Sequence, residues 1–315
     1  MLHSIDHSSG NLLADRRASY AAALGAEHAF SEAAELMVQA LELVPGWVAG
    51  WHLLGGYREA GGDVPGALAA WNELLTLDER GVFGARLKLA AHRAIAVAAP
   101  QTAYVQALFD DYAPRFEESL VGRLAYRVPQ QLATAIEQVS AGRHFGRVVD
   151  LGCGTGLMGQ LLRPLADRLE GVDLSAGMLA EARRKGIYDR LEQDDLVAFL
   201  AGEDEAFDLI AAADVLNYVG TLEPVLTSAV RALSPGGLIA FSLEIHADDE
   251  PVRVATSLRF QHAPTPALVA CEALGLDVRM SWATSLRLDR GEPVSGMIIV
   301  AVRRCDGRRA LPGLR

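Results

Sequence analysis

Asp150 stands two residues ahead of three alternating glycines in Val148-Val149-Asp150-Leu151-Gly152-Cys153-Gly154-Thr155-Gly156, and the apolar run it closes reads as a strand. Alternate glycines let a backbone approach a ligand closely, with amides free to donate, here where a helix begins near Leu157. Downstream, a second apolar run ends in Gly171-Val172-Asp173-Leu174-Ser175. A carboxylate at the next strand tip, about twenty residues on, is placed to accept from a ribose diol, although an acid there also reads as a helix cap. Other chemistries lack their residues. Of the histidines, His3, His7, His28, His52, His92, His144, His246 and His262, only His3 and His7 stand at H-x-x-x-H spacing, in a polar stretch at the head of the sequence, and no metal is expected. The two lysines, Lys88 and Lys185, lie outside any apolar or glycine-rich setting, which disfavours Schiff-base chemistry. Cys153 has no paired histidine, so the loop uses its backbone and not its thiol.

Two ligand classes suit such a loop. Gly154-Thr155-Gly156-Leu157-Met158-Gly159 fits the G-x-G-x-x-G of dinucleotide sites, but it starts a turn late, and Asp150 just before it would repel a pyrophosphate. The same carboxylate attracts the ammonium and sulfonium of S-adenosylmethionine.

Positioning these residues requires a particular set of elements. Apolar runs at Arg147–Leu151, Leu169–Asp173, Leu191–Asp194, Phe207–Ala213 and Gly237–Leu243 alternate with helical stretches at 157–166, 176–186, 196–201 and 222–233. Strand-helix alternation with near-continuous apolar strands predicts an α/β fold, a doubly wound parallel sheet. Two further strands, Leu276–Thr284 and Met297–Arg303, are joined by a short link through Gly291-Glu292-Pro293, which predicts an antiparallel last strand and seven strands in all. Residues 12 to 98 read as helix after helix, broken at Pro45-Gly46, Gly61-Gly62 and Gly81, with a last helix over Val82–Ala98. A repeat of about 34 residues places Ala33, Met37, Ala40 and Pro45 over Ala67, Trp71, Leu74 and Glu79. The expected organisation is a helical domain over 1–100, a helical lid over 101–142 and a catalytic domain over 143–315.

The chain has 315 residues, enough for two cores, with 50% hydrophobic and 22% charged residues, the composition of a folded soluble protein. Its net charge of -11 repels phosphate backbones and anionic lipid, which argues against nucleic acid as a general partner. Three scattered cysteines, Cys153, Cys271 and Cys305, fit a reducing cytoplasm, and neither a signal peptide nor an apolar run of membrane-spanning length is visible.

Asp-Leu-Gly-Cys-Gly-Thr-Gly at 150–156 followed by Val-Asp-Leu-Ser at 172–175 resembles motifs one and two of the class I S-adenosylmethionine-dependent methyltransferases, whose Rossmann-like sheet has seven strands. With the upstream Trp51, Leu54, Gly55 and Gly62 pattern, the whole resembles the bacterial tetratricopeptide-repeat (TPR)-containing methyltransferases. The resemblance implies that Asp150 and the loop of Gly152, Cys153, Gly154, Thr155 and Gly156 hold the methionine moiety. It also implies that Asp173 takes the ribose hydroxyls and that Leu174 and Met178 pack on adenine. In Gln193-Asp194-Asp195-Leu196 the adenine-binding acid falls on Asp195, with Asp194 adjacent; Asp195 reads equally as the N-cap of the helix from Leu196. Ala213, Asp214, Asn217 and Tyr218 would border the sulfonium and the substrate, and Tyr112 and Phe116 match the family's lid. Methyl transfer to a small molecule by in-line displacement needs alignment above all, and if a base is used, His262 is the candidate. The alternative is a protein methyltransferase, or a protein-binding scaffold docking its partner through the TPR-like repeats.

Overall fold

The structure, a computed structural model, describes residues 8–96, 99–117, 126–289 and 291–305. His3 and His7 lie outside the described residues, as do parts of the expected last helix and of the expected lid. The chain divides into two compact units, Met1–Ala107 with Val254–Leu258, and Leu108–Arg253 with Arg259–Arg315.

The first unit is helical. Helices α1 (Leu12–Ala26), α2 (Phe30–Leu43), α3 (Val48–Ala60), α4 (Val64–Leu77) and α5 (Ala85–Ala91) pack each against the next. Asn11 caps α1 by accepting from the amides of Leu13 and Ala14, and Asp63 caps α4 by accepting from that of Gly66. Helix α4 begins and ends 34 residues after α2. Ala33, Met37 and Ala40 on α2, and Ala67, Trp71 and Leu74 on α4, are all fully buried. The last helix of this unit, expected over 82–98, is shorter, α5 starting at Ala85 and stopping at Ala91. Helix α6 (Thr102–Tyr112) follows, and the boundary between the units falls inside it.

The second unit is built on a seven-stranded sheet. Its strands are β1 (Phe145–Leu151), β2 (Ala166–Asp173), β3 (Arg190–Gln193), β4 (Phe207–Ala212), β5 (Leu233–Glu244), β8 (Leu276–Asp289) and β9 (Glu292–Arg303). Their order is β3-β2-β1-β4-β5-β9-β8, with the first five parallel and β9 antiparallel to both of its neighbours. Helices cover both faces. On one, α10 (Leu196–Ala201), α11 (Glu223–Ala232) and α12 (Pro264–Ala273) bring Phe199, Leu226 and Cys271 onto Val149, Ile210 and Phe241. On the other, α7 (Val128–Ser140) and α8 (Leu157–Leu162) pack Leu132, Ile136 and Met158 against Val148, Leu209 and Ala240. Helix α9 (Ala176–Lys185) lies along β2 and β3, capped by the Ser175 hydroxyl, which accepts from the Met178 amide. A short ribbon of β6 (Val252–Val254) and β7 (Phe260–His262) precedes α12; neither it nor α12 was expected from the sequence.

Strand order reverses at β1, whose neighbours are β2 and β4. In open α/β sheets the crevice at such a switch point, outside the carboxyl ends of the strands, is where ligands bind. Asp150, Asp173, Asp214 and Glu244 all fall at this edge, on or just after β1, β2, β4 and β5.

Candidate active site

Asp150 is 1% exposed. Its Oδ2 accepts from the Tyr188 hydroxyl at 2.6 Å, while its Oδ1 is buried with no partner among the described residues. Burial, with the nearby Asp173 charge adding, raises its pKa from 3.8 to about 7, against the pull of the Tyr188 hydrogen bond. An orphaned buried carboxylate oxygen costs free energy unless a donor or a cation is brought to it. The sequence did not single out Tyr188. Its ring lies against Gly156, Gly159 and Gly171, where no side chain would leave it room.

The loop after β1 is tied to β2. Cys153 donates its amide to the Val172 carbonyl at 3.0 Å, and Gly154 donates its amide to Asp173 Oδ2 at 2.9 Å. Asp173 Oδ1 accepts from the Ser175 amide at 2.8 Å. Burial raises the Asp173 pKa to about 6, opposed by those amide bonds. The carboxylate expected to meet a ribose therefore also fixes the glycine loop. The Cys153 thiol is buried and burial pushes its pKa well up, so it is no nucleophile.

Residues 108–117 fold over this loop. Phe116 stands nearest the free face of Gly154, at 3.8 Å from where a Cβ would sit, with Tyr112 against its ring at 5.6 Å and Phe109 at 6.2 Å. Asp110 accepts from the Ser175 hydroxyl at 2.6 Å and the Gly177 amide at 3.1 Å, and Glu117 accepts from the Thr155 hydroxyl at 2.6 Å.

The adenine side is less open. Leu174 is half-buried, Met178 is 1% exposed and Leu196 is 7% exposed. Asp195 caps α10, its Oδ1 accepting from the amides of Val197 and Ala198, and Asp194 Oδ1 accepts from the Asp195 amide at 2.8 Å. The Asp195 cap reading is thus the arrangement present, and its Oδ2 is left for any further contact.

At the tips of β4 and β5 lies a buried charge cluster that no spacing announced. Asp214, just after Ala213 and with φ +58°, accepts from Arg287 Nη1 with both carboxylate oxygens at 2.7 Å. Arg287 Nη2 donates to Glu244 Oε1, and the Arg287 side chain is 1% exposed. Asn217 is spent on the same cluster, donating to Asp214 Oδ1 and accepting from the Glu244 amide at 2.7 Å. Tyr218 takes the Nε–H of Arg259 on its hydroxyl at 2.9 Å and meets Phe109 edge-on at 5.2 Å. Burial pushes the Glu244 carboxyl up while Arg287 and Arg259 pull it down. His262, the candidate base, is 3% exposed; its Nε2–H donates to the Gly220 carbonyl at 2.9 Å, and burial lowers its pKa. No cluster of metal ligands occurs among the described residues.

Residues 149–241 match the family model of a methyltransferase domain. Together with the strand order and the glycine loop, this match marks residues 149–241 as a methyltransferase domain. The chain is 31% identical over 138 residues to a malonyl-acyl carrier protein O-methyltransferase of Enterobacter lignolyticus, covering 44% of this chain and 52% of that protein. It is 38% identical over 107 residues to a trans-aconitate 2-methyltransferase of Paracidovorax citrulli, covering 33% and 40%. These matches span about half the length of the curated relatives or less. Among solved structures the cyclase SpnF is similar in fold, with a TM-score of 0.54 at 18% identity over 67% of this chain and 98% of that one. No helix of the described residues is long and apolar enough to cross a membrane.

Proposed function

We propose that the protein transfers a methyl group from S-adenosylmethionine to a small-molecule acceptor by in-line displacement, without a metal, in the cytoplasm. The unpaired, buried Oδ1 of Asp150 at the head of the glycine loop supports this reading, because a cationic ligand satisfies it and a pyrophosphate does not. At Gly154 a Cβ would meet nothing nearer than the Phe116 ring at 3.8 Å, which puts that aromatic cover directly over the loop. S-adenosylmethionine supplies an electrophilic methyl group on its sulfonium. Asp150 holds the cationic end at the head of the glycine loop, Asp173 takes the ribose hydroxyls, and the aromatic cover of Phe109, Tyr112 and Phe116 excludes water. Tyr218, held by Arg259 and Phe109, borders the acceptor, so alignment carries the reaction, an effect reaching about 7–11 kcal/mol at best. His262 in its neutral form keeps a lone pair on Nδ1 for a proton that must leave.

Calorimetric titration with S-adenosylmethionine tests this directly, and a chain that does not bind it overturns the proposal. Asp173→Ala should weaken binding by about 2–3 kcal/mol, through lost ribose bonds and a loosened loop; affinity within twofold of the parent would remove Asp173 from the ribose. Affinity should also depend on pH with a definite sign. The cation favours ionised Asp150, whose pKa is raised from 3.8 to about 7 in the free protein. Binding should therefore weaken about tenfold between pH 8 and pH 6 and release protons near pH 6.5. Asp150→Asn should flatten that profile, and an unchanged slope in the variant would refute the assignment. The same raised pKa favours the free folded state at low pH, and that contribution is lost as pH rises through about 7.

A second reading rests on the 34-residue register of α2 and α4. It makes the helical unit a TPR-like array that docks a protein, either as methyl acceptor or as a partner of a scaffold. A screen of metabolite pools and of cell proteins for methyl incorporation separates the two.

A further inference from the structure

We infer that Arg259 binds the acceptor and that the acceptor carries a carboxylate. This rests on the methyltransferase reading, which places an acceptor at the tips of β4 and β5.

Arg259 and Arg287 share Glu244 yet are used differently. Arg287 spends both terminal nitrogens on acids, Nη1 on Asp214 and Nη2 on Glu244, and its side chain is sealed at 1% exposure. Arg259 spends only Nε, on the Tyr218 hydroxyl, with Glu244 Oε1 a further 3.8 Å ion-pair neighbour. Among the described residues neither of its Nη atoms has a hydrogen-bond partner, and its side chain is 26% exposed. A guanidinium carries five N–H donors in a planar fork, so four are left for a ligand. That fork is already oriented. Its Cζ lies 5.7 Å from the centre of the Tyr218 ring, and Phe109 holds that ring edge-on. A cation whose position is fixed before binding loses little rotamer freedom on meeting its ligand.

Charge chooses the ligand. The acids beside Arg259 are taken, Asp214 by Arg287 and Asn217, Glu244 by Arg287. A planar, singly charged carboxylate fits the free fork with two parallel hydrogen bonds. A phosphate dianion would bring a second negative charge against Glu244 and Asp214, so the site favours the monoanion.

The test uses the full chain with a panel of acids, namely propionate, succinate, benzoate and cinnamate, each beside its primary amide, with phenyl phosphate as the other anion. Binding of each is titrated calorimetrically with S-adenosylhomocysteine present and absent, and the Kd of S-adenosylmethionine is measured separately. At least one acid should bind about tenfold or more tightly than its amide. Arg259→Gln should weaken that acid about 10- to 100-fold while the S-adenosylmethionine Kd stays within about twofold, and Arg259→Lys should fall between. Equal binding of acid and amide, no acid bound at millimolar concentration, tighter binding of phenyl phosphate than of any acid, or an unaltered Arg259→Gln would each overturn the inference. The acid and amide comparison needs no variant to fold. A chain that binds acids through Arg259 but not S-adenosylmethionine would refute the methyltransferase reading alone.

Discussion

Replacing Arg287 by methionine should lower the stability of the α/β unit by about 3–5 kcal/mol at neutral pH, the usual cost of breaking a buried ion pair from one side. The guanidinium answers two acids at once, with two 2.7 Å bonds to Asp214 and another to Glu244, on a side chain 1% exposed. Without it, Asp214 keeps only the Asn217 amide and Glu244 only Arg259 at 3.8 Å, and both carboxylates stay in the sheet edge. Glu244 is 2% exposed on its side chain and cannot turn to water. The sign of the pH dependence follows. In the variant the Glu244 carboxyl, already raised by burial, would lose the pull of Arg287 and rise further above its unfolded value. The penalty would then be absent below the ordinary carboxylate range and complete above the raised value, so urea unfolding at pH 4 should show a much smaller difference from the parent than at pH 7.5. Adding Asp214→Asn and Glu244→Gln should recover part of the loss, since the three groups act as one unit. A loss under about 1 kcal/mol would reduce the cluster to the standing of a surface pair.

That cluster shows where sequence reading stops. β1, β2, β4 and β5 were legible because they are covered on both faces and read as near-continuous apolar runs ending in acids or glycines. β8 runs five residues past the expected Thr284, because alternate residues of this edge strand face solvent and its apolar signal fades. β6 and β7, three residues each, are too short to show a period. The loop of Gly152–Gly156, Asp150 and Asp173 announced themselves by spacing within one β-α-β unit. Arg287 reaches Asp214 from 73 positions away and Glu244 from 43, distances at which no local pattern operates. The available signal was chemical: Glu244 closing an apolar run and Arg287 inside a strand are charges that must find partners. Tyr188 gave less, being a tyrosine in a turn whose slot is cut by three glycines, two at the start of α8 and one on β2. His262 was singled out by its place between strands, and its burial was hidden because the ribbon that encloses it was hidden too.

Two glycine replacements in one loop should separate binding from folding. At Gly154, φ is +53° and a Cβ would meet nothing closer than the Phe116 ring at 3.8 Å. Valine there should therefore cost the fold only the strain of a left-handed backbone, about 1–2 kcal/mol. Its methyl groups, however, would stand in the space beneath Phe116 and press on the amide that Asp173 holds. S-adenosylmethionine affinity should fall by more than about 100-fold, with the circular dichroism of the folded protein retained. Gly152 is the opposite case. Its φ is +61°, and a Cβ would lie 2.1 Å from Val215 Cγ2, a branched side chain that packs against the sheet core. Gly152→Ala should cost about 2–4 kcal/mol of stability through overpacking and backbone strain together, and at low temperature the residual folded protein should bind S-adenosylmethionine within about tenfold of the parent. If Gly154→Val binds as the parent does, the glycine loop is no ligand cradle. If instead Gly154→Val unfolds while Gly152→Ala is neutral, the loop faces the other way, with Gly154 against the core and Gly152 toward the ligand.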